Sequence, residues 1–292
     1  FSILIIGSAV ALNPVNVAVK SSKLWVTANN ADFSNIIVIV TDGTNKAIGG
    51  ADIQLSISQP WGLKDTLGVT PAGGQFVTEF LPTTTSGTAA ITATVTVPGV
   101  TPVPVVETYY QNITADIPAK IMESYPSVAS IGDVADITLR LTDRYDNPIT
   151  RKMEKSFVNF TTTSSGNCGF LVPDPNHVGK QIFAKSLSVD LNDSGYAAVD
   201  FSLNTHPGDN FILIVPPSPL SPRIFRIRGI ANLPPTSILQ IVNPNGNPPT
   251  LSADGKSKFT INYKLYDQYG NPSTYHMLSI STNTGELMNI SS

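Results

Sequence analysis

One strand-and-turn pattern recurs in order along this chain, and it limits the fold more tightly than any other feature. The run LRLTDRYDNP, Leu139 to Pro148, returns as YKLYDQYGNP, Tyr263 to Pro272. A weaker copy, VIVTDGTNKAI, covers Val38 to Ile48. Each reads as a strand ending in a tight turn. Asp42, Asp143 or Asp267 closes an Asx-type turn, a Gly or Asn accepts positive φ, and Pro restarts the chain in the two stronger copies. A second motif follows the first two copies. GQFVTEF from Gly74 leads to Gly87, and GYAAVDF from Gly195 leads to Gly208, the paired glycines standing 13 positions apart in both. Two motifs repeating in the same order mark an array of like units.

Between the turns the hydrophobic period is two. Ile91, Ala93, Val95 and Val97 alternate with Thr92, Thr94 and Thr96. Ile137, Leu139 and Leu141 alternate with Thr138, Arg140 and Thr142, and Phe259, Ile261, Tyr263 and Leu265 with Thr260, Asn262 and Lys264. One apolar and one polar face per strand is the pattern of antiparallel sheets packed on one side. Threonine on the outer face satisfies β-propensity without adding charge. The 23 prolines and 21 glycines fall largely between these runs. The expected fold class is all-β.

Only 13% of residues are charged while 41% are hydrophobic, so the chain can bury a core and does not read as disordered. Its polar surface is made of Ser, Thr, Asn and Gln, as suits a secreted or surface-exposed protein. A net charge of −3 argues against nucleic acid, which needs a basic face. Arg226 and Arg228 share one face of a strand and read as solubilising. Cys168 is the single cysteine, so packing rather than an intrachain disulfide must supply stability. Its neighbours, GNCG, read as a loop with an unpaired thiol.

The order of an Asp-x-x-Gly-Asn-Pro turn, a Gly-turn strand and a Gly-initiated strand resembles the bacterial immunoglobulin-like domain group 1. That group occurs in intimin, invasin and many bacterial and archaeal surface proteins. The third copy fits best, since Leu251 to Gly255 leading into Phe259 also resembles the family's opening strand. The second is close, and the first departs by lacking Asn-Pro after Asp42. The resemblance covers most of the chain beyond residue 14 and implies tandem immunoglobulin-like β-sandwiches. The expected division is an apolar segment at 1–13, sandwiches at 14–115 and 116–232, and a partial third at 233–292. Junctions containing proline, such as Leu233-Pro234-Pro235, restrict bending and predict a semi-rigid row.

The two ends raise separate expectations. From the turn Asp to the later Gly is 32 residues in the first copy and 52 in the second, which carries an insertion around Cys168 to Lys185. By that spacing the third copy lacks its later strands before Ser292. Either the polypeptide continues, or another chain supplies them. The opening run from Phe1 to Leu12 is the most hydrophobic stretch, yet shorter than the about 20 residues that span a bilayer. It reads as the stump of a membrane or pilin-type helix, as a signal-peptide tail with a site at Ala9-Val10-Ala11, or as a β-strand. As a strand, with Phe1, Ile3, Leu4, Ile5 and Ile6 as assembly residues, it would complete a neighbour's third sandwich by donor-strand exchange.

Chemistry-bearing motifs are sparse. His177, His206 and His276 stand apart, without zinc spacing, and no nucleophile elbow, phosphate loop or dinucleotide fingerprint appears. No catalytic role and no cofactor are expected. Asp190, Asn192 and Asp193 have a spacing loosely like a calcium loop but coincide with the Gly195 turn, which favours a plain hairpin. Asn112, Asn159, Asn192 and Asn289 each open an N-glycosylation sequon.

The leading functional expectation is an extracellular structural or adhesive protein whose modules form a stalk, envelope layer or filament, either membrane-anchored through its N-terminus or assembled into a surface filament. Its partners would be copies of itself or other envelope proteins. A binding module is the alternative, in which sandwich-end loops recognise a host or carbohydrate ligand, with the insertion's Phe170 and Pro173-Asp174-Pro175 as an exposed surface. A third reading is a set of accessory domains on a larger secreted enzyme.

Overall fold

The computed structural model describes residues 15–99, 104–150, 156–231, 236–242, 252, 254, 256–257 and 260–272. Alternation in sequence becomes burial in space. Ile91, Ala93 and Val95 are fully buried, as are Ile137, Leu139 and Leu141, while the residues between them face outward.

The first unit contains β1 (Val15–Ser21), β2 (Trp25–Thr27), β3 (Ser34–Asp42), β4 (Asp52–Ile57) and β5 (Gly62–Leu63). It continues with β6 (Leu67–Val69), β7 (Gln75–Leu81), β8 (Gly87–Thr96) and β9 (Val105–Thr114). Two sheets, ordered β1-β3-β7-β5 and β2-β9-β8-β4-β6, close over one apolar core. That core holds Val38 and Phe80 from one sheet against Ile91 and Val95 from the other.

The second unit repeats the wiring. Its strands are β10 (Lys120–Ser124), β11 (Val128–Ser130), β12 (Val134–Thr142), β13 (Phe157–Thr162) and β14 (Gly169–Pro173). They are followed by β15 (Gln181–Ala184), β16 (Ser186–Asp190), β17 (Tyr196–Ser202), β18 (Gly208–Val215) and β19 (Arg223–Ile230). The sheets run β10-β12-β17-β14-β15 and β11-β19-β18-β13-β16. Strand for strand this is the first unit with one addition, β15, at an edge. Even the parallel pairing of β2 with β9 returns as β11 with β19. A third pairing begins the pattern again: β20 (Thr236–Val242) lies antiparallel to β21 (Thr260–Tyr266).

The insertion is therefore a hairpin, β14–β15, that widens a sheet. Phe170 is not exposed on it, contrary to the sequence expectation. It is fully buried, edge-on to Phe160 at 6.0 Å and to Phe201 at 5.4 Å between ring centres. The reason is pairing: Phe170 lies opposite Phe201 of β17, so its ring turns into the core. Cys168 precedes this strand and is buried and unpaired, within 3.6 Å of the Ser164 and Ser165 carbonyls.

The motif glycines have a physical cause. Gly74 (φ 66°) and Gly195 (φ 80°) take up left-handed backbone, and a Cβ on either would stand 2.6 Å from the carbonyl oxygen of Val40 or Leu141. Each packs a hairpin turn against the strand carrying the Asp motif.

Candidate functional site

The Asp-motif turns bring the sandwiches together. In the second unit Asp143 is completely buried at the end of β12. Its Oδ1 accepts the backbone N–H groups of Tyr145 (2.8 Å) and Asn147 (2.9 Å), closing the turn. Its Oδ2 accepts the N–H of Asp116, in the connection leading from β9, at 2.9 Å, and the Asn147 side-chain amide at 2.8 Å. Four N–H donors thus satisfy a buried carboxylate, which would otherwise be costly to bury.

Asn147, itself 8% exposed, reaches across to the first sandwich. Its Nδ2 donates to the Thr84 carbonyl at 2.7 Å, and its Oδ1 accepts the Ser86 N–H at 2.9 Å. The loop that presents these groups precedes Gly87 and is held from below. The indole N–H of buried Trp61 donates to the Thr85 carbonyl at 3.1 Å. Arg144 adds an ion pair to Asp116 at 3.2 Å, and because its guanidinium faces water the pair contributes little.

The next junction repeats this. Asp267 Oδ1 accepts the N–H groups of Tyr269 and Asn271 at 2.9 Å each, and Asn271 Nδ2 donates to the Thr205 carbonyl at 2.7 Å. Thr205 stands three residues before Gly208, as Thr84 stands three before Gly87. One difference is chemical. The counterpart of Ser86 is Pro207, which has no N–H, so the second cross-junction bond of Asn147 has no equivalent. Tyr269 also lies against Gly132 of the second unit, where a Cβ would meet its ring.

The first copy keeps the turn and lacks the lock. Asp42 Oδ1 accepts from the Thr44 hydroxyl (2.7 Å), the Thr44 N–H (2.8 Å) and the Lys46 N–H (3.0 Å). The Thr44 hydroxyl bond, with these backbone donors, holds its carboxyl below the ordinary value of 3.8. Lys46, exposed, occupies the place of Asn147 and Asn271. The sequence reading treated the Asn as a turn residue. What it missed is that the Asn side chain also bonds the preceding sandwich, a partner that the motif itself does not disclose.

The other sequence candidates scatter. Asn192 Oδ1 accepts the N–H groups of Ser194 and Tyr196, so this oxygen closes the Gly195 turn, while Asp190 and Asp193 are exposed beside it. Among the described residues no group of three or more His, Cys, Asp and Glu is placed to hold a metal, and no helix is long and apolar enough to cross a membrane. Asn112 on β9 and Asn159 on β13 are half-buried on outward faces, and Asn192 is exposed. His177 meets Asp174 at 2.8 Å within the insertion's turn. Phe1, Ile3, Leu4, Ile5, Ile6, His276 and Asn289 lie outside the described residues.

A cleft of about 350 Å³ opens beside the first lock. Trp25, Thr88, Asn112 and Thr114 wall it on one side, and Pro148, Thr150 and Asp193 on the other.

No protein-family model matches the chain, and no curated protein matches it in sequence. Among solved structures it is similar to the Yersinia pseudotuberculosis protein InvD, at 18% identity over 88% of this chain and 71% of that one, with a TM-score of 0.57. It is also similar to FdeC, described as a broadly conserved Escherichia coli adhesin, at 14% identity over 90% and 78% of the two chains, with a TM-score of 0.53. The likeness is one of fold. The chain is an all-β array of immunoglobulin-like sandwiches, the fold that its repeat motif implied.

Proposed function

We propose that this chain is a section of a cell-surface adhesive protein, in which immunoglobulin-like sandwiches divided at about 14–115, 116–232 and 233–292 are locked into a semi-rigid row. The observation that carries the reading is the junction itself: at two successive boundaries the same motif Asn donates to the same loop carbonyl of the preceding sandwich. A turn residue needs no such cross-contact to close its own turn, as the Asp42 turn demonstrates. Its repetition fixes one sandwich on the next. The fold shared with an adhesin and the low-charge surface rich in Thr and Asn support an extracellular setting.

Immunogold labelling of intact source cells with antibodies to the second sandwich tests this. Label on the outer surface is expected, and label seen only after permeabilisation would overturn the reading. A second role, ligand binding by the inserted hairpin, is favoured by the exposed Ile182 and Phe183 on β15.

A further inference from the structure

The cleft beside the first junction has the makings of a binding site. β2 runs parallel to β9 with Trp25 opposite Asn112 and Thr27 opposite Thr114. Thr88 of β8 flanks Asn112 on its other side. Trp25, Asn112 and Thr88 therefore stand in one row across three strands, on the face away from the core. Trp25 is 37% exposed, whereas Trp61, the other tryptophan, is 8% exposed and bonded. Among the described residues, neither the Trp25 indole N–H nor the Asn112 amide N–H has a hydrogen-bond acceptor, while Thr88 Oγ1 lies 3.5 Å from Asn112 Oδ1. The opposite wall is delivered by the second sandwich, and Pro148 follows the locking Asn147 directly.

The lining chooses the ligand class. Among the described residues no Lys or Arg borders the cleft, which disfavours a phosphate or carboxylate ligand, and the one charged side chain lining it, Asp193, already has a partner of its own, which disfavours a cation. Hydroxyl and amide groups outnumber apolar side chains, which disfavours a lipid or an apolar drug-like molecule. What remains is a neutral, hydroxyl-rich ligand with one apolar face for the indole. The volume falls within the roughly 300–1,000 Å³ of small-ligand sites, which favour domain boundaries. An aromatic ring with an apolar body and a polar tip suits a ligand of that kind.

We propose that the junction cleft binds a neutral saccharide, with Trp25 as its stacking platform and Thr88, Asn112 and Thr114 as its polar contacts. The sugar has two sources, a free glycan or one attached to Asn112 through its own Asn112-Ile113-Thr114 sequon. The proposal goes beyond the row reading and is separable from it, since a row of locked sandwiches needs no ligand.

The test uses the full chain made in a host without N-glycosylation, titrated with glucose-, galactose-, mannose- and N-acetylglucosamine-terminated oligosaccharides while tryptophan emission is followed. At least one should shift the emission. Trp25→Ala should weaken its binding at least tenfold by calorimetry, Thr88→Val several-fold, and Asn147→Ala, which frees the second wall, several-fold. Circular dichroism should show all three folded. In a second arm, protein purified from its source is mapped by mass spectrometry. A hexose-bearing Asn112 makes the sugar the chain's own, and Trp25→Ala should then speed its removal by glycosidase. No shift with any saccharide together with an unmodified Asn112 overturns the proposal, as does binding or glycan removal that Trp25→Ala leaves unchanged.

Discussion

Replacing Asn147 with Ala separates the lock from the turn. The backbone N–H of residue 147 still reaches Asp143, so the turn survives, but three side-chain bonds are lost. The bond to the buried Asp143 carboxylate lies within the second sandwich, and a hydrogen bond to a charged group contributes about 1.5–3 kcal/mol. The bonds to Thr84 and Ser86 cross the junction, and neutral ones contribute about 0.5–1.5 kcal/mol each. Thr84 and Ser86 are half-buried, so water regains part of what is lost. A docking loss of about 1.4 kcal/mol follows, equivalent to a roughly tenfold fall in the docked population. Amide hydrogen exchange reads this directly. Ser86 should exchange about tenfold faster in the variant, while Val40, whose N–H donates to the Gly74 carbonyl within the first sandwich, keeps its wild-type rate. Unchanged protection at Ser86 would refute the claim that Asn147 holds the junction.

Phe170→Ala should destabilise the second sandwich by about 3–5 kcal/mol in urea unfolding, the usual cost of emptying a buried aromatic site, whereas an exposed ring would give almost no change. Gly195→Ala should cost about 1–3 kcal/mol through left-handed strain and the approach to the Leu141 carbonyl, and the same change at Gly179, where a Cβ has open space, should cost less. Asp136 and Asp200 face each other across β12 and β17, and their shared hydrogen bond, with burial and repulsion, pushes the Asp200 carboxyl above its ordinary 3.8. A raised acid is penalised in the folded state when ionised, so the penalty holds at neutral pH and is relieved as pH falls through the raised value. Both carboxyls are exposed and water screens their repulsion, so Asp200→Asn should stabilise by no more than about 0.5 kcal/mol at pH 7, with the difference shrinking toward 3.8 in urea titrations at stepped pH.

Much of the fold was legible because its causes are local. Alternation placed Ile91 and Leu139 in cores, and the paired glycines marked turns whose φ excludes side chains comfortably. The Asp turns were legible too, since their bonds join residues two and four apart. Phe170 was misplaced because its burial depends on β14 pairing with β17, more than thirty residues away, and nothing local distinguishes it from a loop aromatic. Asn147 was read for its turn alone, because its partner carbonyl at Thr84 belongs to another unit. The cleft was illegible for a like reason: Trp25 and Thr88 meet only through the pairing of β2 and β8 with β9, and Asp193 joins them only across the junction.

If the motif Asn fixes one sandwich on the next, the two sandwiches hold one relative orientation in solution. Spin labels at exposed Leu67 in the first sandwich and exposed Ile182 in the second, in the full chain, test it by pulsed electron paramagnetic resonance. A single narrow distance distribution that broadens on Asn147→Ala is the expected result. A distribution already broad in the wild type, and unchanged in the variant, would contradict it.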